Sequence, residues 1–282
     1  MKNLFAYGWD PAHAGTMTDI PYTHGHHDSV LRSHRWRTAA NSAGYLVGRL
    51  RPGMSLLDVG CGPGTITADL ARLLAPGRVV GIDASASVID EARSLVGGGN
   101  AEPTFEVGDL YSLPFEDGSF DVVHAHQVLQ HVGDPLAALA EMKRVCRPGG
   151  MVAVRDADFP TFRFFPDEPE IARALDAYGA LTRANGATWD AGRRLLQWAH
   201  ATGFSEVVPS ASVWCFATPE ERTWWGDLWA ERFTASSMAG QLLAHGIATS
   251  DDLDGFARAW RQWAASPDGW FAVIHGEVVT TV

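Results

Sequence analysis

The segment 56–65, LLDVGCGPGT, restricts the fold of this chain more than any other stretch. An apolar run enters three closely spaced glycines there and continues into a helical pattern, ITADLARLL. This order predicts a strand, a tight turn and a helix whose positive end and backbone N–H groups can face a ligand. Because a Cβ at Gly60 or Gly62 would stand between the main chain and that ligand, the glycines predict close contact with a bound molecule.

Short β-rich runs alternate with helical patterns around this turn. A first helix is predicted over 30–50, and further helices are predicted to begin near 64, 86 and 134. The predicted strands are apolar on both faces, which is typical of a parallel sheet covered by helices on both sides. They lie at 56–60, 79–83, 104–109, 120–126 and 151–157.

The pattern changes after residue 158. Two more helices are predicted within 159–205, and segments 206–218 and 270–282 are predicted to be closing strands that form an antiparallel edge. The segment 219–269 between them is helical and rich in Trp, and we expect it to be a cap insertion over the carboxyl ends of the strands. Its Trp residues either pack on a core at helical spacing or line an apolar pocket.

Composition excludes several classes of protein. A chain of 282 residues with 46% hydrophobic residues can bury a sizeable core. Its net charge of -11, with no basic cluster larger than GRR at 192–194, argues against nucleic acid as a partner. No signal peptide or membrane span is predicted, so we expect a cytoplasmic location and no membrane partner. Three scattered cysteines predict free thiols and no cysteine metal site.

The spacing of the glycines narrows the choice of ligand. Positions 60, 62 and 64 form G-x-G-x-G, and Thr65 stands where the dinucleotide fingerprint has its third glycine, which argues against a nicotinamide cofactor. Asp83 ends the second strand, where a carboxylate can accept hydrogen bonds from two ribose hydroxyls. Asp109 ends the third strand, where it can bind an exocyclic amine. For the glycines alone, a tight turn without a ligand is the alternative.

With these motifs, residues 30–158 resemble the class I S-adenosylmethionine-dependent methyltransferases. LLDVGCGPGT is similar to their glycine-rich motif and GIDAS to their ribose-binding strand end, and VGDLYSLPFEDGSFDVV is similar to their adenine-binding strand and the loop after it. HVGDPLAALAEMKRVCRPGGMVAV is similar to the helix and turn before their fifth strand. The resemblance implies an α/β fold with S-adenosylmethionine as the cofactor. The expected sheet is Rossmann-like, seven-stranded and mostly parallel, with the cofactor core at 31–158.

The resemblance also implies roles for particular residues. Asp58, Gly60 and Gly62 would line the methionine portion of the cofactor, Asp83 would hold the ribose, and Asp109 with Leu110 would flank the adenine. His126 and Gln127 would bound the methionine and methyl end. The full predicted cofactor set is Tyr22, His27, Arg37, Asp58, Gly60, Cys61, Gly62, Asp83, Ala84, Gly108, Asp109, Leu110, His126 and Gln127.

The N-terminal sequence YTHGHHDSVLRSHRWRTA is most similar to a branch that includes fungal small-molecule methyltransferases, among them enzymes that methylate the thiols of dithiol natural products. That similarity implies that the segment 1–30 folds over the cofactor, and that Tyr22, His26, His27 and the nearby Arg37 form a lid. The HGHH cluster lacks a carboxylate or cysteine at ligand spacing, so we predict no metal site there.

Methyl transfer mainly requires that a nucleophile is held in line with the methyl carbon, about 3 to 3.5 Å away. A histidine can assist by taking the proton of the acceptor, and His126 and His131 follow the fourth strand nearest to the predicted crevice. We predict these two as catalytic residues, with packed imidazoles as the alternative. Asp156 and Asp158 are candidates for binding an acceptor, or else they are solvated or capping carboxylates.

These observations predict an enzyme that moves a methyl group from S-adenosylmethionine to a small, fairly apolar metabolite. A thiol sulfur is favoured as the acceptor atom over oxygen, nitrogen or carbon. Two alternatives are a nicotinamide-dependent oxidoreductase and a non-catalytic protein that binds S-adenosylmethionine.

Overall fold

The structure, a computed structural model, describes residues 28–95 and 102–282. The predicted lid lies almost wholly outside these ranges, and so do the predicted site residues Tyr22 and His27 and the neighbouring His26. The described strands are β1 (Leu56–Val59), β2 (Val79–Asp83), β3 (Thr104–Val107), β4 (Phe120–His126), β5 (Cys146–Ala157), β6 (Arg163–Phe165), β7 (Glu206–Phe216) and β8 (Trp270–Thr281).

Helices cover both faces of this sheet and extend beyond its carboxyl-terminal edge. The described helices are α1 (Asp28–Arg35), α2 (Ala39–Ser42), α3 (Gly44–Val47), α4 (Thr65–Leu74), α5 (Ala86–Leu95), α6 (Pro135–Val145), α7 (Pro169–Ala184), α8 (Ala191–Ala201), α9 (Pro219–Ala235), α10 (Ser237–Ala244) and α11 (Ser250–Ala265). In the described ranges, none of them is both long and apolar enough to cross a bilayer.

The parallel half of the sheet is built from the short apolar runs around the glycine turn. Its order is β3-β2-β1-β4-β5, and every residue of β1 is buried because helices pack on both faces. β1 lies between β2 and β4, so its carboxyl end is at the point where the strand order reverses, which is where open α/β sheets bind ligands. The predicted α/β, Rossmann-like fold is confirmed.

The antiparallel half is organised by β8. This strand pairs with β5 through Met151–Ala157 and with β7 through Glu206–Phe216, and its first residues pair with β6. The two closing strands therefore lie as the sequence predicts. Within residues 28–95 and 102–282 the sheet has eight strands rather than the predicted seven. The three residues of β6 add a pairing that is too short to leave a pattern in the sequence.

The prediction of one continuous helix over 30–50 is wrong. The chain forms three short helices there, because Thr38 adopts an extended conformation and caps α2. Its hydroxyl accepts a hydrogen bond from the backbone N–H of Asn41, and the Asn41 side chain accepts one from the backbone N–H of Thr38. This capping box restarts the helix and turns the chain.

The predicted cap segment forms α9, α10 and α11, which share one hydrophobic cluster with the start of β8. Trp229 stacks on Trp260 with ring centroids 5.3 Å apart, and Phe271 of β8 packs against Trp260 and Trp263. Trp225 stacks on Phe216 at the end of β7. These contacts hold the helices against the carboxyl-terminal edge of the parallel strands.

Candidate functional site

A cavity of about 420 Å³ opens at the carboxyl ends of β1, β2 and β4, between α1 and α9. The strand ends that the sequence singled out all meet in it. The predicted site residues that line the cavity are Arg37, Asp58, Gly60, Cys61, Gly62, Asp83, Ala84, Gly108, Leu110, His126, Gln127 and His131. Asp109 lies between two lining residues, but its own side chain is exposed and outside the lining.

The glycine turn has three residues in the left-handed region, with φ of +67° at Gly60, +56° at Gly62 and +79° at Gly64. A Cβ at Gly60 would collide with the side chain of Val128, and one at Gly64 would lie 2.6 Å from Phe105. Around Gly62 the nearest such atom is a ring nitrogen of His34, 3.9 Å away. The protein itself therefore excludes side chains at positions 60 and 64, which corrects the prediction that a ligand does so at Gly60.

The backbone N–H groups of the turn are already engaged. Those of Gly60 and Cys61 donate to the carbonyl oxygen of Ile82, at 2.7 and 3.0 Å, and that of Gly62 donates to Asp83 Oδ2 at 3.1 Å. The prediction that these N–H groups face a ligand is therefore wrong for the three residues. The turn instead offers a bare backbone surface to the cavity.

Asp83 is held rigidly at the end of β2. Its Oδ2 accepts the Gly62 N–H, and its Oδ1 accepts the backbone N–H of Ser85 at 3.0 Å. Both oxygens of an ionised carboxylate accept hydrogen bonds, which is the chemistry that ribose hydroxyls require. At the end of β3, Asp109 Oδ1 accepts the backbone N–H of Tyr111 at 2.9 Å.

Asp58 lines the cavity, but its carboxylate is turned into the core. It accepts a hydrogen bond from Thr67 Oγ1 at 2.5 Å and pairs with His124 Nδ1 at 2.8 Å, and all three side chains are buried. His124 is fully buried in β4. Asp58 thus secures β1 to β4 and α4 and presents no charged oxygen to a ligand.

The residue after β4, Gln127, has a left-handed backbone with φ of +54°. For a residue other than glycine such a conformation costs of order 1–3 kcal/mol, and strained residues of this kind cluster at functional sites. The side chain is fixed at both ends: Arg37 Nη2 donates to its Oε1 at 2.9 Å, and its Nε2 donates to His275 Nε2 at 2.9 Å. Gln127 therefore connects the N-terminal helices to β8 across the cavity wall.

His126 lies at the end of β4 with a buried ring. Arg155 Nη1 lies 3.4 Å from its Nδ1, and because a guanidinium can only donate, Nδ1 is the acceptor and the ring proton is on Nε2. Burial, and then the nearby charges of Arg155 and Arg37, lower the pKa of His126 well below its ordinary value. The ring is neutral at pH 7, and its Nε2 has no hydrogen-bond partner among the described residues.

His131 lies in the turn Leu129–His131 that follows β4. Its Nε2 accepts a hydrogen bond from the Gln130 amide at 2.9 Å. Burial and the charge of Arg37 lower the pKa of His131 to about 3. A base with so low a pKa abstracts protons poorly at neutral pH, so this environment argues against the predicted role of His131 as a base, and that of His126 argues against the same role there.

A buried ionic network beneath the cavity was not anticipated from the sequence. Arg155 in β5 donates to Glu277 Oε1 in β8 at 3.2 Å, and Ser210 and Ser212 of β7 donate to the two Glu277 oxygens. Burial lowers the pKa of Arg155 to about 10, and the guanidinium lies over the ring of Trp214. The order of polar and apolar residues along β5 and β8 does not predict this ion pair, because Arg155 and Glu277 become neighbours only when the two strands pair antiparallel.

Asp156 and Asp158 do not line the cavity. Asp156 is fully buried, accepts the backbone N–H of Gln130 at 3.1 Å, and has its pKa raised to about 7 by burial. Asp158 forms a two-pronged ion pair with Arg193, at 2.7 and 2.8 Å. The predicted role in binding an acceptor therefore has no support from their positions, and neither residue is a solvated carboxylate.

The N-terminal helices contribute residues that the sequence analysis missed. Ser33, His34 and Trp36 line the cavity, and α1 is attached to the glycine-turn helix because Thr65 Oγ1 donates to the carbonyl oxygen of His34 at 3.3 Å. Arg232 of α9 lines the opposite side and donates to Ser33 Oγ at 3.0 Å. One sequence feature indicated these residues, namely the run SHRWR at 33–37, in which polar residues flank a tryptophan next to the predicted lid.

The far wall of the cavity is aromatic. Its rings come from four separate parts of the chain, namely Trp36, Phe159, Phe162, Trp214, Trp224, Trp225 and Trp229. Trp260 and Trp263 pack behind them and do not line the cavity. In the Trp-rich segment, Trp224, Trp225 and Trp229 therefore line the pocket, whereas Trp260 and Trp263 pack in the core.

No group of three or more His, Cys, Asp or Glu side chains with metal-site geometry occurs in the part of the chain that the structure describes. The HGHH cluster lies outside that part. Cys61 is buried in the cavity wall, and burial followed by the charges of Asp58 and Asp83 raises the pKa of its thiol well above the ordinary value. Cys61 is therefore an apolar contact surface rather than a nucleophile.

Three comparisons with known proteins bear on this cavity. A family model described as a methyltransferase domain matches residues 57–154. An uncharacterized methyltransferase of Schizosaccharomyces pombe is 34% identical over 271 residues, which cover 92% of this chain and 95% of that protein. A probable methyltransferase of Aspergillus luteorubrus is 28% identical over 290 residues, with 92% of this chain and 96% of the relative covered.

A solved structure shares the fold. A Haemonchus contortus phosphoethanolamine N-methyltransferase, in complex with phosphomonomethylethanolamine and S-adenosylhomocysteine, matches with a TM-score of 0.55 and 18% identity over 90% of this chain and 57% of that chain. The matched family region, 57–154, contains the glycine turn and the ends of β1 to β4, which form one side of the cavity.

Proposed function

The chain belongs to the class I S-adenosylmethionine-dependent methyltransferases, and from that premise we propose that it methylates a small, fairly apolar metabolite on sulfur. The family makes the protein an enzyme with S-adenosylmethionine as its cofactor and a small molecule as its acceptor. This assignment replaces both alternatives, the nicotinamide-dependent oxidoreductase and the non-catalytic binding protein. When bound, the cofactor supplies a methyl group on a positively charged sulfur.

The cavity fits this cofactor. The Asp83 carboxylate is fixed at the end of β2 and lines the cavity as the proposed hydrogen-bond acceptor for the ribose hydroxyls. The backbone of Gly60 and Gly62, which carries no side chain, leaves room for the methionine portion. Gly108 and Leu110 provide the wall for the adenine, with Asp109 next to them as the proposed partner of its amine. Arg37 and Gln127, which are hydrogen-bonded to each other, also line the cavity and are proposed to bound the methionine group and the methyl.

The aromatic wall is the proposed binding surface for the acceptor. Trp214 of this wall lies 5.7 Å from the His126 ring, so an acceptor held there would lie near the proposed methyl end. Such positioning contributes roughly 7 to 11 kcal/mol to lowering the barrier of a bimolecular reaction. The rings also exclude water, which would otherwise solvate the attacking atom.

The preference for sulfur rests on the environment of the two histidines. Both have lowered pKa values, and the Nε2 of His131 is already occupied by an amide N–H, so neither is a competent base. We therefore expect neither His126 nor His131 to take the proton of the acceptor, which favours an acceptor that ionises readily by itself. A thiol with a pKa near 8.5 is partly ionised at pH 7, whereas a phenol near 10 is ionised about thirtyfold less. In the transfer, the new sulfur–carbon bond forms as the bond from the methyl to the cofactor sulfur breaks.

The test is a matched pair of acceptors. We expect faster formation of S-adenosylhomocysteine from 7-mercapto-4-methylcoumarin than from 7-hydroxy-4-methylcoumarin, with the rate following ionisation of the acceptor as the pH rises. An equal or faster rate with the hydroxyl compound would contradict the preference for sulfur. If neither these two nor a panel of aliphatic thiols is methylated while calorimetry shows cofactor binding, the proposed reaction is wrong.

The acidic surface supports a small-molecule partner rather than nucleic acid, because a net charge of -11 repels phosphates. The cytoplasmic location stays a prediction from the sequence.

A further inference from the structure

Arg37 carries a positive charge in the wall of the cavity, close to the glycine turn. Its side chain is partly buried and lines the cavity. Its backbone N–H donates to the carbonyl oxygen of His34 at 3.1 Å, and a ring nitrogen of His34 is 3.9 Å from the position that a Cβ would take at Gly62. The segment that carries Arg37 is thus attached beside the backbone surface where the methionine portion of the cofactor is proposed to lie.

Gln127, the residue after β4, contacts the same guanidinium. Its Oε1 accepts a hydrogen bond from Arg37 Nη2 at 2.9 Å. The next residue, Val128, packs against Gly60, since a Cβ at Gly60 would collide with it. The contact between Arg37 and Gln127 therefore joins two segments that each adjoin the glycine turn, one at Gly62 and the other at Gly60.

Hydrogen-bond chemistry fixes the orientation of the Gln127 amide. Because a guanidinium can only donate, the amide oxygen must face Arg37 and the amide nitrogen must face His275. His275 Nε2 then accepts this second hydrogen bond, at 2.9 Å, which requires a neutral imidazole. Burial, and then the charges of Arg155 and Arg37, lower the pKa of His275 well below its ordinary value, in agreement with this requirement. The three side chains therefore fit together in one arrangement.

The backbone conformation of Gln127 indicates that its side chain serves more than folding. Its φ of +54° lies in the left-handed region, which glycine adopts freely and glutamine only at a cost in free energy. Glycine would therefore suit the backbone better at this position. What glutamine adds is the pair of hydrogen bonds to Arg37 and His275, which hold the guanidinium at the cavity wall.

Two guanidinium groups occur among the described residues of the lining, those of Arg37 and Arg232. Arg232 is on α9, where it lies over the Trp229 ring of the proposed acceptor wall. Arg37 is the one that adjoins the glycine turn. The methionine portion of the cofactor ends in an amino acid, and a planar guanidinium binds a carboxylate through two parallel hydrogen bonds. The chemistry of Arg37 therefore fits the carboxylate of that portion.

We propose that Gln127 is a positioning residue which, supported by His275, holds the Arg37 guanidinium so that it binds the methionine carboxylate of the cofactor. This inference rests on the proposed function, since it concerns the cofactor of the same cavity. A guanidinium that is held in place before the ligand arrives loses less conformational freedom on binding, which increases the affinity. Gln127 thus acts on the cofactor through Arg37.

The first experiment compares two ligands by calorimetry. S-adenosylhomocysteine and 5′-methylthioadenosine share the adenosine and the thioether sulfur, but only the first carries the amino acid. We expect Arg37→Gln to weaken binding of S-adenosylhomocysteine at least tenfold and that of 5′-methylthioadenosine less than twofold. Arg49→Gln is the matched control, because Arg49 is an exposed arginine after α3 and is not among the lining residues. Both ligands should bind to it as to the wild type.

The second experiment tests the positioning role of Gln127. Gln127→Met keeps the length of the side chain without its hydrogen bonds, and Gln127→Gly also removes the backbone cost. Both should weaken S-adenosylhomocysteine at least threefold and leave 5′-methylthioadenosine unchanged. Because Gln127 acts through Arg37, the double variant Arg37→Gln/Gln127→Met should bind no more weakly than Arg37→Gln alone. A merely structural role would weaken both ligands together.

The outcomes separate this inference from the proposed function, because binding of these ligands needs no methyl acceptor. Equal losses for the two ligands, or additive effects of Arg37→Gln and Gln127→Met, overturn the inference and leave methyl transfer to sulfur intact. The Gln127 variants give this answer even where Arg37→Gln does not fold. A third result also overturns it: unchanged binding of S-adenosylhomocysteine to Arg37→Gln, with a loss of methylation of 3-mercaptopropionate relative to 1-propanethiol, would assign Arg37 to a carboxylate of the acceptor.

Discussion

At the level of single residues, Asp83 is the side chain on which cofactor binding depends most directly. Two backbone N–H groups hold its carboxylate in place before any ligand binds, so little ordering is required. We expect Asp83→Ala to weaken binding of S-adenosylhomocysteine at least tenfold, which corresponds to about 1.4 kcal/mol. Isothermal calorimetry measures this directly.

The matched control is Asp90→Ala. Asp90 is an exposed carboxylate on α5, the helix that follows Asp83, and its side chain pairs only with the exposed Arg93. That variant should bind with unchanged affinity. An Asp83→Ala protein that melts at the same temperature as the wild type and binds equally well would remove the ribose role from Asp83.

Asp156 carries a buried carboxyl group whose ionisation the fold opposes. Burial raises the pKa of its carboxyl from 3.8 to about 7, so between these values the folded state keeps a proton that the unfolded state releases. Stability therefore falls as the pH rises through this window. Asp156→Asn keeps the oxygen that accepts the Gln130 N–H and cannot ionise.

We expect the stability of Asp156→Asn relative to wild type to increase by up to about 4 kcal/mol from pH 4 to pH 7, measured by urea unfolding. The change with pH is the quantity of interest, because it is independent of any constant offset from the substitution. A difference that does not vary with pH would show that Asp156 is ionised in the folded protein throughout.

At the level of elements, the turn between β1 and α4 requires glycine because the side chains of Val128 and Phe105 pack directly against it. Gly60 combines a positive φ with contact against Val128, so Gly60→Ala introduces both backbone strain and a steric clash. We expect a loss of about 1–3 kcal/mol in the free energy of unfolding and weaker binding of S-adenosylhomocysteine.

The double variant Gly60→Ala/Val128→Ala tests the cause. Since Val128 is the side chain that a Cβ would meet, its truncation should recover part of the loss, and the two effects should not add. Gly240→Ala in α10 is the control, because a Cβ there meets nothing within 4 Å and the helix interior favours alanine. Simple additivity of the Gly60 and Val128 effects would contradict the proposed clash.

The elements differ in how well the sequence predicts them. The central strands β1 and β2 are predictable because a strand buried on both faces is mostly apolar, as in LLDV and VVGI, where Asp58 is the one charged residue. The break after α1 is not, since the pattern of apolar residues continues through it and only the cap by Thr38 interrupts the helix. The pairing of β6 depends on Phe271 and its neighbours in β8, more than 100 residues away, which no local pattern can reveal.

For the site, the sequence predicts the residues that carry a local motif and misses those brought in by folding. Asp83 and the glycines follow from strand ends that any parallel sheet places together. The Trp wall depends on α9 lying across the sheet, and the state of His126 depends on Arg155 in the next strand. An expectation that an imidazole acts as a base fails when burial and two guanidinium groups oppose its protonation.

At the level of the whole molecule, three parts of the chain must stay docked for the cavity to exist. The N-terminal helices are attached to β7 because Trp214 Nε1 donates to the carbonyl oxygen of Asn41 at 2.6 Å, and to the cap through Arg232 and Ser33. Gln127 completes the connection by joining Arg37 to His275. The cofactor end and the acceptor end therefore share one set of buried polar contacts.

This arrangement makes the fold sensitive to acid. His126, His131 and His275 all have lowered pKa values, chiefly from burial, so they stay neutral in the folded protein below the ordinary histidine pKa near 6.5. The unfolded chain takes up three protons at these positions as the pH falls, and Asp156 offsets one of them because the folded state keeps its proton. Unfolding in acid therefore takes up protons, and stability falls as the pH decreases below 6.5. His131 alone, with a pKa of about 3, contributes about 1.4 kcal/mol per pH unit in this range.

Urea unfolding at pH 7, 6 and 5 measures this slope. His131→Gln, in which the glutamine oxygen can accept the Gln130 amide as the ring nitrogen does, should reduce the slope by about 1.4 kcal/mol per pH unit. His200→Gln is the matched control, because His200 is an exposed residue of α8, and its slope should equal that of the wild type. If His131→Gln lost stability with acid as steeply as the wild type, His131 would be able to ionise in the folded state, and the argument against its role as a base would fail with it.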